Sequence, residues 1–270
     1  MSIQLIKSSD VWNTIQSLLN EIKIILKDHF VGMYIHGSLA IGDFDPMTSD
    51  IDFLVVTMDL ISEDQFDALR KMHAHLIENE NIWARKLEGS YIPQQYLLYK
   101  EPPVDPRPYI NEGKFLLEPF GYEWVLEQHT IREYGIAIEG PAPQILINPF
   151  TTAELQSASI RILTDWWLPM LWDTNRLNDC NYKVYTILTM CRVLYMFVHG
   201  KIVSKKKAAE WICEIYNEKW GVLAEKALTW NPDSTFENAD EVLEFIRFTI
   251  SYIDNSQNEA LQSSKIDSLN

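Results

Sequence analysis

Between two short β-type runs, at residues 31–35 and 51–57, lies the segment that limits the possible folds of this chain more than any other. The first run ends at Gly37 and Ser38, and after eleven intervening residues Asp50, Ile51 and Asp52 open the second. Gly42, Asp43, Asp45, Pro46, Thr48 and Ser49 fill the interval with turn chemistry. A glycine directly after a strand lets the backbone turn with its N–H groups exposed. Such amides, with the Ser38 hydroxyl, can cradle phosphate oxygens. Side chains alternate across a strand, so Asp50 and Asp52 point the same way. Two neighbouring carboxylates repel unless a cation sits between them. Hard oxygen ligands beside a phosphate cradle select Mg²⁺, which takes one or two carboxylates plus the substrate's phosphates. Neither Gly-Ser nor Asp-x-Asp means much alone. Together, flanked by strands, they read as a site for a nucleoside triphosphate with magnesium.

The surroundings fit an α/β unit. Val11, Ile15, Leu18, Leu19, Ile22, Ile25 and Leu26 recur at helical spacing before the first strand. Ser62 and Gln65 form a capping-box pattern after the second strand. They open a helix with Phe66, Leu69, Met72, Leu76 and Ile77 inward. Residues 83–92 read as a third strand, so helices and strands alternate. The prolines 93, 102, 103, 106 and 108 make 93–113 a long surface loop, and 121–138 is again helical. Gly140, Pro141, Pro143 and Pro149 then break the chain and set a domain boundary at residue 150. Beyond it the pattern is helical, over 152–167, 182–199, 204–216, 220–229 and 236–253. Thr151 with Glu154 opens the first of these helices, Gly200 closes the second and Ser204 caps the third. The domains are therefore 1–150 and 151–255, with a polar, fraying tail over 256–270.

Charge and composition narrow the function classes. Lys plus Arg number 23 and Asp plus Glu 38, a net charge of −15, which argues against nucleic acid and permits a cationic partner. Three scattered cysteines, Cys180, Cys191 and Cys213, form no disulfide framework or C-x-x-C metal pair. No apolar run approaches the ~20 residues that span a bilayer, and residues 1–7 carry no signal-peptide pattern. The expectation is a cytoplasmic, monomeric protein with no membrane or nucleic-acid partner. His73 and His75, two apart on a helix, face different ways and suit no shared metal. Trp166, Trp167 and Trp172 read as packing residues.

His36, Gly37, Ser38, Gly42, Asp43 and the run 49–55 (Ser-Asp-Ile-Asp-Phe-Leu-Val) resemble the DNA polymerase β-type nucleotidyltransferase superfamily. The runs 188–195 (Leu-Thr-Met-Cys-Arg-Val-Leu-Tyr), 200–205 (Gly-Lys-Ile-Val-Ser-Lys) and 208–211 (Ala-Ala-Glu-Trp) resemble the helical C-terminal domain of aminoglycoside adenylyltransferases of the streptomycin 3″ and spectinomycin 9 type. The resemblance implies an α/β nucleotidyltransferase domain, a mixed sheet with flanking helices, followed by an all-α helical bundle. It implies that Gly37, Ser38 and Ser49 meet the triphosphate of ATP and that Asp50 and Asp52 hold two Mg²⁺ ions. A third acid, on the next strand, is the base that deprotonates the acceptor hydroxyl, and Glu88 stands at the matching place. Glu78, Glu80 and Asp59 are weaker matches. From the helical domain, Arg192 and Lys205 match residues that reach the nucleotide phosphates, and Trp230 matches an aromatic near the nucleotide.

Physical chemistry adds independent weight. Glu88 is an acid in an apolar β-context, where desolvation tunes a carboxyl toward base catalysis. Arg192 lies in an apolar helix between Leu188 and Tyr195, and a buried arginine needs an anionic partner. Lys205, Lys206 and Lys207 at a helix start oppose the macrodipole, and phosphate would relieve this. The acceptor side transfers less well. The streptomycin-modifying members bind sugar with an aromatic, here matched by Phe115 or Trp124, and with polar or acidic groups at the start of the long C-terminal helix. This chain has Tyr182, Lys183, Val184 and Tyr185 there, with Asp179 a turn away.

The resulting expectation is transfer of AMP from ATP to a hydroxyl of a small cationic acceptor, an aminoglycoside of the spectinomycin or streptomycin type, with release of pyrophosphate. The alternatives are a nucleotidyltransferase acting on another metabolite or on a protein, and a non-catalytic nucleotide-binding protein. A P-loop kinase is disfavoured by the absence of its phosphate-loop motif.

Overall fold

Helix α1 (Asp10–Leu26) forms on the apolar stripe read from the sequence, with Val11, Ile15, Leu18, Leu19, Ile22 and Leu26 all buried. It leads into strand β1 (Phe30–Ile35), the short helix α2 (Gly37–Ile41), strand β2 (Ile51–Thr57), helix α3 (Glu63–Glu78) and strand β3 (Leu87–Pro93). The computed structural model describes residues 10–78, 82–216, 218–237 and 239–267, with side chains as far as residue 256. The N-terminal segment 1–9 and Glu80 lie outside the described residues. Both halves of the capping box that opens α3 are made. The Gln65 N–H donates to Ser62 Oγ (3.2 Å), and the Ser62 N–H donates to Gln65 Oε1 (2.9 Å).

The chain then departs from the long surface loop expected over 93–113. Strand β4 (Arg107–Asn111) and strand β5 (Lys114–Glu118) form an antiparallel hairpin. Its two-residue turn has Glu112 at φ 48° and Gly113 at φ 75°, the left-handed pair that matches strand twist. Pro108 does not prevent this. β4 pairs with β3 only at Gly89–Ile110 and Ser90–Tyr109, so the missing N–H of Pro108 falls beyond that ladder. The helix expected over 121–138 is also corrected. Helix α4 (Trp124–Tyr134) stops at Gly135, and Ile136–Glu139 forms strand β6, paired with the open edge of β1. A short helix, α5 (Pro143–Leu146), follows.

The sheet runs β5-β4-β3-β2-β1-β6, mixed because only β2 and β3 are parallel. One face, with Met33, Ile35, Phe53, Val55 and Tyr91, packs on α1 and α3. The other face carries Tyr34, Leu54, Val56 and Ile92 beneath Trp124 and Ile131 of α4. At the N-terminal ends of β2 and β3 this second face turns polar.

The chain divides into two compact units, Met1–Phe150 and Thr151–Asn270. The second unit is helical: α6 (Thr152–Ile162), α7 (Cys180–His199), α8 (Lys205–Ile215), α9 (Lys219–Leu228) and α10 (Ala239–Asp267). Thr151 and Glu154 complete the capping box of α6. Beyond α6 the chain widens into a π-helical turn, Leu163–Trp167, and then a 3-10 turn holding Pro169. A proline cannot extend an α-helix, because it has no N–H and its ring crowds the carbonyl four residues back. Buried α7 is the centre of this unit and packs against α6, α8, α9 and α10. Gly200 ends α7 at φ 62°, and Ser204 caps α8 by accepting from the Lys207 N–H (3.1 Å). α10 continues to Asp267, further than the polar composition after Asp254 predicts. Trp167 is buried as a packing residue, whereas Trp166 and Trp172 are exposed.

Candidate active site

Three segments of the first unit meet at one end of the sheet: the start of α2, the entry to β2 and the entry to β3. The His36 N–H donates to the Asp52 carbonyl (3.0 Å), which extends the β1–β2 ladder to the glycine. Gly37 has φ +57°, and a Cβ built there would overlap the Asp52 carboxylate. Both strain and space therefore demand glycine. In the parallel pair β2–β3, Asp52 stands directly opposite Glu88. Two carboxyl groups on one face of adjacent strands are close neighbours, and Asp50, two residues back, shares that face.

The electrostatics follow from this packing. Burial pushes the Glu88 carboxyl up to about 7; a hydrogen bond from Tyr109 opposes the rise, and the charges of Asp52, Asp50 and Glu127 add to it. Tyr109 donates its hydroxyl to Glu88 Oε1. Its own ionisation is pushed well up, by burial first and then by the Glu88 charge and hydrogen bond. His36 is held below its ordinary value by burial, against the pull of Glu127 and Glu88. Glu127 therefore acts on His36, Glu88 and Tyr109 alike, and α4, which carries it, touches α2.

The two serines expected to form a phosphate cradle are held in different ways. Ser38 Oγ is buried with no hydrogen-bond partner, a cost of about 1–3 kcal/mol that an anionic oxygen would remove. Ser49 closes the loop before β2. Its hydroxyl accepts from the Asp45 N–H (3.0 Å), and its N–H donates to the Asp45 carbonyl (2.8 Å). The Ser49 hydroxyl proton remains available to a ligand. Lys86, in the turn before β3, clamps the same loop by donating to the carbonyls of Pro46 (2.9 Å) and Met47 (3.0 Å). Among the described residues no three His, Cys, Asp or Glu side chains converge on a metal position. Asp50 and Asp52 are nevertheless hard oxygen donors of the kind that suits Mg²⁺.

The structure brings Gly37, Ser38, Ser49, Asp50, Asp52 and Glu88 to one end of the sheet. Asp59 lies beyond the opposite end of β2, where its N–H donates to His29 Nε2 (3.1 Å), and Glu78 ends α3. Arg192, Lys205 and Trp230 belong to the second unit. Lys205 Nζ lies 4.8 Å over the Tyr185 ring. Tyr185 and Arg192 are seven residues apart on α7 and so share a face, which puts Arg192 and Lys205 on the same side of that helix. Arg192 is partly buried. Trp230 turns its indole N–H to the Ser234 carbonyl (3.2 Å).

Several acceptor-side expectations change. Phe115 and Trp124 are both buried in the cores of the first unit, and Trp124 donates its indole N–H to the Tyr99 carbonyl (3.0 Å). Asp179 is the N-cap of α7 and accepts from the Tyr182 N–H (2.8 Å). Lys183 is buried and donates to the Phe236 carbonyl (2.7 Å), so it holds the bundle together. Sequence reasoning missed Tyr109, Lys86 and the electrostatic reach of Glu127. The Glu112-Gly113 turn between alternating residues was the signal for the hairpin that carries Tyr109, and the surrounding prolines outweighed it.

Comparison with known proteins supplies relatives. The nucleotidyltransferase domain profile matches residues 19–97, and the profile of the aminoglycoside adenylyltransferase C-terminal domain matches residues 171–254. An aminoglycoside (3″)(9) adenylyltransferase of Klebsiella pneumoniae is 25% identical over 251 residues, covering 87% of this chain and 93% of that protein. A protein of the same name from Rhizobium radiobacter is 26% identical over 253 residues, covering 87% and 91%. Among solved structures, a spectinomycin adenyltransferase of Enterococcus faecialis with ATP and spectinomycin shares the fold. Its TM-score is 0.69 at 18% identity, covering 90% of this chain and 99% of that one.

Proposed function

We propose that this nucleotidyltransferase, similar to aminoglycoside adenylyltransferases over 87% of its length, transfers AMP from ATP to a hydroxyl of a small cationic acceptor of the aminoglycoside class. The observation that carries the reading is the placement of Asp52 opposite Glu88, with Gly37 against the Asp52 carboxylate. One pair of acids is poised for a cation, and the acid next to it is buried enough to hold a proton near neutrality.

In this reading Glu88 takes the proton of the acceptor hydroxyl. The freed oxygen bonds to the α-phosphorus, the bond from that phosphorus to the bridging oxygen breaks, and pyrophosphate leaves with the electron pair. Asp50 and Asp52 would hold two Mg²⁺ ions, which when bound polarise the phosphoryl oxygens and neutralise their charge. Gly37 leaves room for the Asp52 carboxylate, and Ser38 and Ser49 donate to the phosphate oxygens. The family resemblance assigns Arg192 and Lys205 to the charge of the triphosphate and Trp230 to the nucleotide. Glu127, whose charge acts on Glu88 and Tyr109, favours a cationic acceptor over a neutral one. We place the enzyme in the cytoplasm, where ATP is supplied, as a monomer.

The test is pyrophosphate release with ATP, GTP and CTP against a panel of aminoglycosides and unrelated hydroxyl compounds. The expected result is Mg²⁺-dependent release with ATP and at least one aminoglycoside, abolished by Asp52→Asn. Release with unrelated hydroxyl compounds alone would replace the acceptor class. Full turnover in Asp52→Asn would remove the metal assignment.

A further inference from the structure

Glu88 projects from a strand among like charges, and a side chain outside the sequence motif holds it in place. Tyr109 stands on β4 opposite Ser90, so its ring shares a face with Ser90 and, one step along β3, with Glu88. Its hydroxyl donates to Glu88 Oε1. We propose that Tyr109 is the positioning residue of the base: it grips one carboxylate oxygen of Glu88 and leaves the other, Oε2, directed to the acceptor hydroxyl. This rests on the reading of Glu88 as the base.

The ring is itself immobilised. The Arg107 guanidinium lies 5.0 Å over Tyr109 and 4.8 Å over Phe120. Arg107 is only 6% exposed; its Nε donates to Ser90 Oγ (2.8 Å) and its Nη1 to the Pro119 carbonyl (3.2 Å). The hairpin turn at Glu112 and Gly113 fixes the register that presents Tyr109 to β3. A residue pressed by Asp52, Asp50 and Glu127 needs a tether, and the chemistry of the tether matters. A lysine or arginine would pair with the carboxylate and lower its appetite for a proton. A neutral phenol holds one oxygen and leaves the charge in place. No other hydrogen-bond partner of Glu88 is found among the described residues, so loss of the phenol releases the carboxylate.

A double-mutant cycle of Tyr109→Phe and Glu88→Gln tests this on the full chain, read as pyrophosphate release from ATP with spectinomycin as the probe acceptor. Tyr109→Phe alone is expected to lower kcat about tenfold to a hundredfold while the KM for ATP stays within about twofold, because misaligned reacting groups slow the chemical step. In the Glu88→Gln background the same change is expected to alter the residual rate less than about twofold, since the proposal allows Tyr109 to act only through Glu88. Equal losses in both backgrounds, or full turnover of Tyr109→Phe beside a dead Glu88→Gln, overturn the proposal. Full turnover of Glu88→Gln overturns the base assignment instead. If spectinomycin is not a substrate, the cycle is read on melting temperatures in EDTA, where coupled shifts support the tether and additive shifts overturn it.

Discussion

The two faces of strands β2 and β3 are made from alternate residues of the same two seven-residue segments, yet they behave as different materials. On the face toward α1 and α3, Phe53 and Val55 are completely buried, and Tyr91 meets Phe53 edge-on at 6.1 Å. The polar group there is half settled, since His73 Nδ1 is buried without a hydrogen-bond partner. His73, held neutral by burial that pushes its pKa down to about 3, shares a 2.8 Å hydrogen bond with the Tyr91 hydroxyl. On the other face, Asp52 and Glu88 oppose each other, Glu88 is pushed up to about 7, and Ser38 Oγ is left without a partner. The first face accumulates stability and the second surrenders some of it to keep reactive groups together. Gly89 joins the two. A Cβ there would overlap the Phe53 ring, so the glycine lets that ring lie across β3 and holds the register that sets Asp52 against Glu88. Rigidity on one face thus becomes alignment on the other.

The contrast predicts opposite responses to substitution. The largest effect is expected on the polar face. Glu88→Gln should lower kcat about 10²–10⁴-fold, the usual contribution of a general base. Calorimetry should find ATP affinity nearly unchanged and the metal-free fold no less stable than wild type. A glutamine variant that melts markedly lower would mean that Glu88 is a structural member of its face. Next in size is Phe53→Ala on the apolar face, expected to reduce folding stability by about 3–5 kcal/mol, measured by urea unfolding. Corrected for the folded fraction, its turnover per molecule should fall too, because the register at Gly89 loosens. If that turnover is unchanged, the two faces are independent and the alignment argument fails.

How far this division was visible beforehand depended on the reach of the local signals. β2 was legible to the residue, because its β-branched run starts and stops at turn chemistry. Both capping boxes and the Gly200 terminus were legible because their partners lie within four residues. Gly37, Ser38, Asp50 and Asp52 were readable as one site because strand alternation forces the acids to a common face. The hairpin β4–β5 was not, since its stability comes from pairing with β3 and from Arg107, contacts that local composition does not report. β6 was hidden for the same reason: four residues that continue a helical pattern become a strand only because β1 offers an open edge. Tyr109 was consequently invisible as a site residue, and Glu127 was legible only as one of several acids, since both reach Glu88 only through tertiary packing.

The smallest expected effect is also the most direct measure of what the polar face surrenders. The folded-state pKa of Glu88 is raised to about 7 from an ordinary 4.5, so the folded protein holds this proton more tightly than the unfolded chain does. The stability it contributes is fully present below pH 4.5 and is lost as pH rises through about 7. Without metal, wild type should therefore lose about 1–3 kcal/mol from this group between about pH 4.5 and 8, because each tenfold difference in proton affinity is worth about 1.4 kcal/mol and solvent screens part of it. His36 works in the opposite sense, because its burial favours the neutral ring and its contribution falls as pH drops. Raw melting curves will therefore mix the two. The difference between Glu88→Gln and wild type removes most of the histidine part. That difference should be small near pH 4.5, where the wild-type carboxyl is protonated and resembles the amide. It should grow in favour of the glutamine variant toward about pH 8, where Glu88 is an anion facing Asp52, Asp50 and Glu127. A difference that stays flat across that range in EDTA would mean that Glu88 ionises without penalty and that the polar face holds no stored repulsion.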